Sequence, residues 1–218
     1  MIAEISNRPK PGPPTSPKPL FQEPGLRRSR ALPYELHVHA AMTPKSESVA
    51  LNFRNSGKAG VVFHVYDKLH LERISRCYTV ESGKQLTDYW QTAENDARYD
   101  LWVYGPNGFV REFRGKAHAS PIEELPNVRL EYDTPNGAVQ VIAVNRTHRQ
   151  VALEIRANAY GSSTPQIVKL PPEGTRLVSR SVVASHNWYD FTVAGDTFEQ
   201  RFAGRMESGQ HTYTDPAS

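Results

Sequence analysis

The chain states one pattern twice, 90 residues apart. Val49-Ala50-Leu51-Asn52-Phe53-Arg54-Asn55 is answered by Val139-Gln140-Val141-Ile142-Ala143-Val144-Asn145. Val61-Val62-Phe63-His64-Val65 is answered by Val151-Ala152-Leu153-Glu154-Ile155, and Tyr99-Asp100-Leu101-Trp102-Val103 by Tyr189-Asp190-Phe191-Thr192-Val193. Phe113-Arg114-Gly115-Lys116 returns as Phe202-Ala203-Gly204-Arg205 at an offset of 89, so one residue has been lost in the intervening turn. Solenoid and propeller units repeat every 20 to roughly 50 residues, so a period this long is a whole small domain. The 218 residues hold two such domains, each able to bury its own core. A duplicated fold with no catalytic set in either copy points to binding or support rather than catalysis.

The pattern inside each copy has period two. Tyr34, Leu36, Val38 and Ala40 point one way, and Glu35, His37 and His39 the other. Val49, Leu51 and Phe53 form a second apolar face, and Val61, Phe63 and Val65 a third. Strict alternation of this kind is the mark of half-buried β-strands. Residues 72–78 lack it and are expected to form a poorer edge strand running on into Thr79-Val80. Asn55-Ser56-Gly57, Gly105-Pro106-Asn107-Gly108 and Thr134-Pro135-Asn136-Gly137 supply residues that tolerate the positive φ of tight hairpins. Residues 85–94 are the one modest helix candidate. The expected architecture is all-β: two tandem immunoglobulin-like antiparallel β-sandwich domains after a disordered proline-rich linker. Boundaries are expected at 1–33 for the linker, 34–120 for the first sandwich and 121–218 for the second. The short connector at residues 121–127 is expected to hold the two domains against each other.

Eight of the 17 prolines fall within residues 1–33. Such a run favours extended chain and supplies no packed core, so it reads as a semi-rigid spacer rather than an SH3-type ligand. It also carries Arg8, Lys10, Lys18, Arg27, Arg28 and Arg30 against Glu4 and Glu23, a net of +4. The other 185 residues hold 20 basic and 21 acidic side chains, so the net charge of +3 is not spread over the folded part. Nucleic acid is therefore not an expected partner. Cys77 is the lone cysteine, which excludes an intrachain disulfide. No stretch approaches the roughly 20 apolar residues of a membrane span. Met1 is not followed by a charged and then an apolar region, so the export signal of an exported parent would lie upstream.

Several residues tempt a chemical reading. His37 and His39 share a strand face, but the other histidines stand at no metal-ligand spacing to them, so a solvated polar face is expected and no metal or cofactor. Cys77 follows Arg76, yet nothing around it resembles a nucleophile signature, and it is expected to be a small, partly buried strand residue. Ser185-His186 with Asp100 or Asp190 suggests a hydrolase triad. No Gly-x-Ser-x-Gly elbow is present, and Asp100 and Asp190 are equivalent positions, so a side-chain bond fixing a turn or strand end is expected of them. Gly105-Pro106-Asn107-Gly108 lacks the helix and lysine of a phosphate cradle. Trp90 and Trp188 are expected as core anchors at strand ends. Trp102 and Tyr104 lie opposite Leu101 and Val103 and form the candidate contact surface. Aromatic side chains so placed meet sugar, lipid headgroup or protein, or else the partner domain.

The blocks Leu32-Pro33-Tyr34-Glu35-Leu36-His37-Val38, Tyr78-Thr79-Val80-Glu81-Ser82-Gly83-Lys84 and Tyr99-Asp100-Leu101-Trp102-Val103-Tyr104-Gly105-Pro106-Asn107-Gly108-Phe109-Val110-Arg111-Glu112-Phe113-Arg114-Gly115 together resemble the C-terminal repeat domain of bacterial phosphocholine-specific phospholipases C. Ile2-Ala3-Glu4-Ile5-Ser6-Asn7-Arg8-Pro9 resembles the segment that joins the catalytic domain to those repeats. The resemblance implies a parent with a large N-terminal α/β domain that cleaves phosphatidylcholine or sphingomyelin to phosphocholine. The metal ligands and nucleophile lie in that domain, so none is carried onto this chain. The expectation is a non-catalytic accessory region of a secreted or periplasmic phospholipase C. It would pack on its own catalytic domain and engage a phospholipid surface or a secretion partner. The alternatives are a carbohydrate- or adhesin-type binding module, and an independent hydrolase using Ser185, His186 or Cys77.

Overall fold

A computed structural model describes residues 25–43, 48–116 and 126–217. Sixteen strands run in chain order: β1 (Arg28–Ser29), β2 (Leu36–Thr43), β3 (Ser48–Asn55), β4 (Val61–Asp67), β5 (Arg76–Val80), β6 (Gln85–Gln91), β7 (Arg98–Tyr104), β8 (Val110–Lys116), β9 (Asn127–Asp133), β10 (Ala138–Val144), β11 (Val151–Ala159), β12 (Gln166–Leu170), β13 (Thr175–Ser181), β14 (Trp188–Ala194), β15 (Phe198–Arg205) and β16 (Thr212–Tyr213). The described helical elements are four 3-10 turns of three residues each. The fold is all-β.

Each half has the same layout. The sheets β2-β3-β6 and β9-β10-β13 each have three strands, and each lies over a run of four, β5-β4-β7-β8 and β12-β11-β14-β15. All the pairings are antiparallel. Seven strands divided between two sheets is the immunoglobulin-like sandwich. The inward positions fill one core per half. Val49, Leu51, Phe53, Phe63, Val65, Leu101, Val103 and Phe113 belong to the first, and Val139, Val141, Leu153, Ile155, Phe191, Val193 and Phe202 to the second.

Asn55 and Asn145 close the same turn in the two halves. Each is buried, each accepts at Oδ1 from the backbone N–H two residues on at 3.0 Å, and each donates to carbonyls across the turn. Buried backbone groups need such partners, and an amide side chain supplies both donor and acceptor.

The two four-strand runs are not separate sheets. β8 and β15 pair antiparallel, with Phe198 opposite Gly115 and Phe202 opposite Arg111, giving one sheet of eight strands. Each strand would otherwise present an open edge, and pairing removes both. Gly115 permits the approach, because a Cβ there would lie 2.7 Å from the Thr197 carbonyl oxygen and 2.8 Å from the Tyr99 hydroxyl. The second contact between the halves is β2 against β9.

That contact corrects one expectation. The polar face of β2 is not solvated: His37 is buried under the second half, with Nδ1 3.3 Å from the Leu130 carbonyl oxygen and its ring 5.0 Å from that of Tyr132. A single strand cannot reveal that its outer face is covered by another domain.

The helix candidate at residues 85–94 is strand β6, followed by a 3-10 turn at Ala93–Asn95. Its alternation fails because only Trp90 is buried along the strand. β5 lies at the sheet edge, as its weak pattern suggests, and spans Arg76–Val80. Trp90 and Trp188 are buried near strand ends. Residues 1–24 of the proline-rich run and residues 121–125 of the connector lie outside the described residues. Where the run is described, Arg28–Ser29 forms β1 and pairs with β16. Arg205 fastens it, donating to the Ser29 hydroxyl at 2.8 Å and the Arg30 carbonyl at 3.2 Å.

Candidate functional site

The alternation that buries Val65, Leu101 and Val103 turns His64, Tyr66, Trp102 and Tyr104 outward. β4 and β7 pair so that His64 faces Tyr104 and Tyr66 faces Trp102. Four rings therefore stand as two neighbouring cross-strand pairs. With Leu71 they line an open, mainly apolar groove of about 470 Å3. The Tyr104 ring meets those of Trp102 and Tyr66 edge-on, at 6.3 and 5.8 Å between centroids. Edge-to-face pairs of this kind are attractive and fix ring orientation. Lys68 Nζ lies 4.4 Å from the centre of the Trp102 ring, a cation–π distance.

The loop that carries Lys68 and Leu71 is tied down by polar contacts. Asp67 caps the turn by accepting from the Leu69 N–H at 3.0 Å, and Arg73 grips both oxygens of Glu94 at 2.6 and 3.0 Å. Tyr66 and Tyr104 remain more than a third exposed, because the second half docks along β8 and β2 instead. The structure thus puts Trp102 and Tyr104 in one outward cluster and adds His64, Tyr66 and Leu71. The period-two signal that marked Trp102 also marks His64 and Tyr66, but only the strand register shows that they are neighbours.

The same outer face continues as a charge ladder across the join. Arg201 on β15 reaches Glu112 on β8 at 2.8 Å and Asp190 on β14 at 2.6 Å. Glu199 lies between Arg114 at 2.8 Å and Arg156 at 3.0 Å. The two carboxylates hold the Arg201 guanidinium above its ordinary range. Asp190 therefore serves the middle of a sheet rather than the turn or strand end expected of it. Asp100 lies at the equivalent place on β7, where burial pushes its carboxyl upward against the pull of Lys68 and Arg114.

The hydrolase candidates do not assemble. The Ser185 hydroxyl is buried and directed at the Val182 and Trp188 carbonyls, 3.0 and 2.6 Å away. His186 takes a left-handed conformation at φ 55° and packs its ring on Tyr213 at 4.7 Å. Cys77 is exposed rather than partly buried, with Sγ 3.4 Å from His64 Nδ1. It shares the outward face of the sheet with its cross-strand partner His64, and that face is exposed on β4 as well.

One group escaped the sequence reading. Arg111 is 1% exposed at the join, where it donates to the Ala203 carbonyl at 2.7 Å and to the Tyr189 hydroxyl at 2.9 Å. Its guanidinium lies 4.1 Å from the Phe109 ring centre. The signal was present, since Arg111 shares its alternating face with Phe109 and Phe113.

Comparison with known proteins agrees with this architecture. The family model described as bacterial phospholipase C, C-terminal domain, matches twice, over residues 28–116 and 126–205. A non-hemolytic phospholipase C of Pseudomonas aeruginosa is 40% identical over 222 residues, covering 99% of this chain and 32% of the relative. A non-hemolytic phospholipase C of Burkholderia pseudomallei is 40% identical over 211 residues, covering 94% of this chain and 30% of the relative. A hemolytic phospholipase C of P. aeruginosa is 28% identical, covering 89% of this chain and 30% of the relative. The chain therefore spans about a third of the length of these relatives. With seven strands per half, matched once in each half and joined through β8 and β15, the chain belongs to the bacterial phospholipase C C-terminal domain family.

Proposed function

We propose that this chain is the non-catalytic accessory region of an exported phospholipase C, packed on the catalytic domain and turning its aromatic groove to the phospholipid surface. The division proposed is a linker at 1–33, a first sandwich at 34–120 and a second at 121–218. One observation carries the reading. Tyr66, Trp102 and Tyr104 stand together, outward and partly exposed, on a sheet that the join between the halves makes continuous. Amphipathic rings of this kind favour a boundary where one side is apolar and the other wet. Lys68 beside Trp102 adds a cation that suits lipid phosphates.

The test is made in the full-length enzyme. Trp102→Ala with Tyr104→Ala is expected to lower both sedimentation with phosphatidylcholine vesicles and phosphocholine release from them, about tenfold. Hydrolysis of a soluble choline phosphodiester should be unchanged. Equal loss on both substrates, or no loss on vesicles, would reject the groove as a lipid contact. Glycan-array binding lost on Trp102→Ala would replace this reading by a carbohydrate-binding one.

A further inference from the structure

The halves differ at several interior positions, and one of these differences borders a pocket. β3 pairs with β6 so that Val49 faces Trp90, and β10 pairs with β13 so that Val139 faces Arg180. Trp90 and Arg180 are therefore the same position in the two sandwiches. In the first half the indole fills the end of the core, and the Arg76 guanidinium covers it 4.0 Å from the ring centre. In the second half an arginine replaces the indole and a pocket of about 200 Å3 is left. A cavity of roughly 150 Å3 is enough for a benzene ring, so this one accepts a group of several heavy atoms.

The lining is suited to an anion. Val139, Val182 and Phe191 make its floor apolar, beside an aromatic wall of Trp188 and Tyr189, while the alternation that turns Arg180 to the Val139 side directs the Ser179 and Ser181 side chains to the other face of β13. Arg180 is only partly exposed, its guanidinium lies 5.3 Å from the Phe191 ring centre, and among the described residues it has no hydrogen-bond or ion-pair partner. Burial lowers its pKa and no neighbouring charge offsets that. Asp190 also borders the pocket, but both its oxygens are held by Arg201. A bulge in β11 between Ala157 and Ala159 leads to Gly161, where a Cβ would lie 3.6 Å from Arg180 Nη2. The glycine leaves the guanidinium approachable. A half-buried guanidinium that holds no carboxylate has its fork of donors available to grip an oxyanion with two parallel bonds.

We propose that this pocket is a binding subsite for an oxyanion group, phosphate or carboxylate, gripped by Arg180 and backed by the aromatic wall. It does not depend on the lipid role of the groove on β4 and β7. The ligand can come from solution or from a lipid headgroup, and the assay separates the two. The full 218-residue chain is titrated with inorganic phosphate, with acetate and with phosphatidylglycerol vesicles, and backbone amide resonances are followed. Arg180→Trp, which installs the residue of the first half, and Arg180→Met run alongside. Binding is expected to shift resonances of residues 179–182 and 159–161 in the native chain and to weaken at least tenfold in both variants. Both variants should melt no lower than the native chain without ligand, because Arg180 makes no hydrogen bond or ion pair that they could break. Phosphate or acetate binding with this dependence supports a soluble ligand. Shifts with vesicles alone, lost in both variants, support a lipid headgroup. Shifts elsewhere, shifts that survive in both variants, or none at all would overturn the proposal.

Discussion

At the level of single residues, a few side chains settle the geometry on which everything else depends. Asn55 makes three bonds inside its turn and is wholly buried, so Asn55→Ala strands two carbonyls and an amide. Each unsatisfied buried group costs about 1–3 kcal/mol. Denaturant unfolding should show a loss of about 3 kcal/mol for Asn55→Ala, and a similar loss for Asn145→Ala. A loss below about 1 kcal/mol would show that water replaces the amide. Gly108 has φ +71°, and a Cβ there would lie 2.9 Å from Trp188 Cζ3 in the other half. Gly108→Ala should therefore destabilise by about 2 kcal/mol. The neighbouring Asn107→Ala removes a bond to Glu207 at 2.6 Å and leaves alanine at φ 57°, but it meets no ring of the other half and should cost less.

At the level of strands, β2 carries two histidines whose burial makes the fold sensitive to acid. Burial, and then the nearby Arg54, hold His37 below the ordinary histidine value of 6.5, although Glu131 and Glu35 pull the other way. Burial, and then Arg129, do the same to His39. In the unfolded chain both take up protons near pH 6.5, while in the folded chain they do so only at lower pH. Stability from this source is thus full above about pH 6.5 and declines as the pH falls from there. Thermal melting between about pH 7 and 5.5 should fall in the native chain and flatten when both are changed to Gln. An unchanged slope would place the acid sensitivity elsewhere.

The strands also show how much the sequence reveals. Alternation located the buried faces of β2, β3, β4 and β7, and the offset of 90 gave the second half from the first. Alternation describes one strand at a time. It could not show that the second face of β2 is covered by β9, nor that Tyr66 stands beside Trp102. β6 looked helical because one face of it is exposed almost throughout, leaving no apolar period to read.

At the level of the whole molecule, the join makes the halves one cooperative unit. Six cross-strand partners between β8 and β15, the Arg111 contacts and the ladder through Arg201 and Glu199 all break if either half unfolds. Calorimetry should record one transition whose van't Hoff and calorimetric enthalpies agree. Two resolved transitions would mean that the join contributes little. Residues 28–116 alone should associate or precipitate, because β8 would become an open edge.

β1 has a mechanical consequence. Arg28–Ser29 precedes the first sandwich in sequence yet pairs with β16 at the far end of the chain and is bound by Arg205 of the second. The described chain therefore enters and leaves at one corner. Tension applied through the preceding stretch would reach the second sandwich first and bypass the first. The two-residue ladder of β1 and β16 would then act as a fuse, giving way before either core is strained.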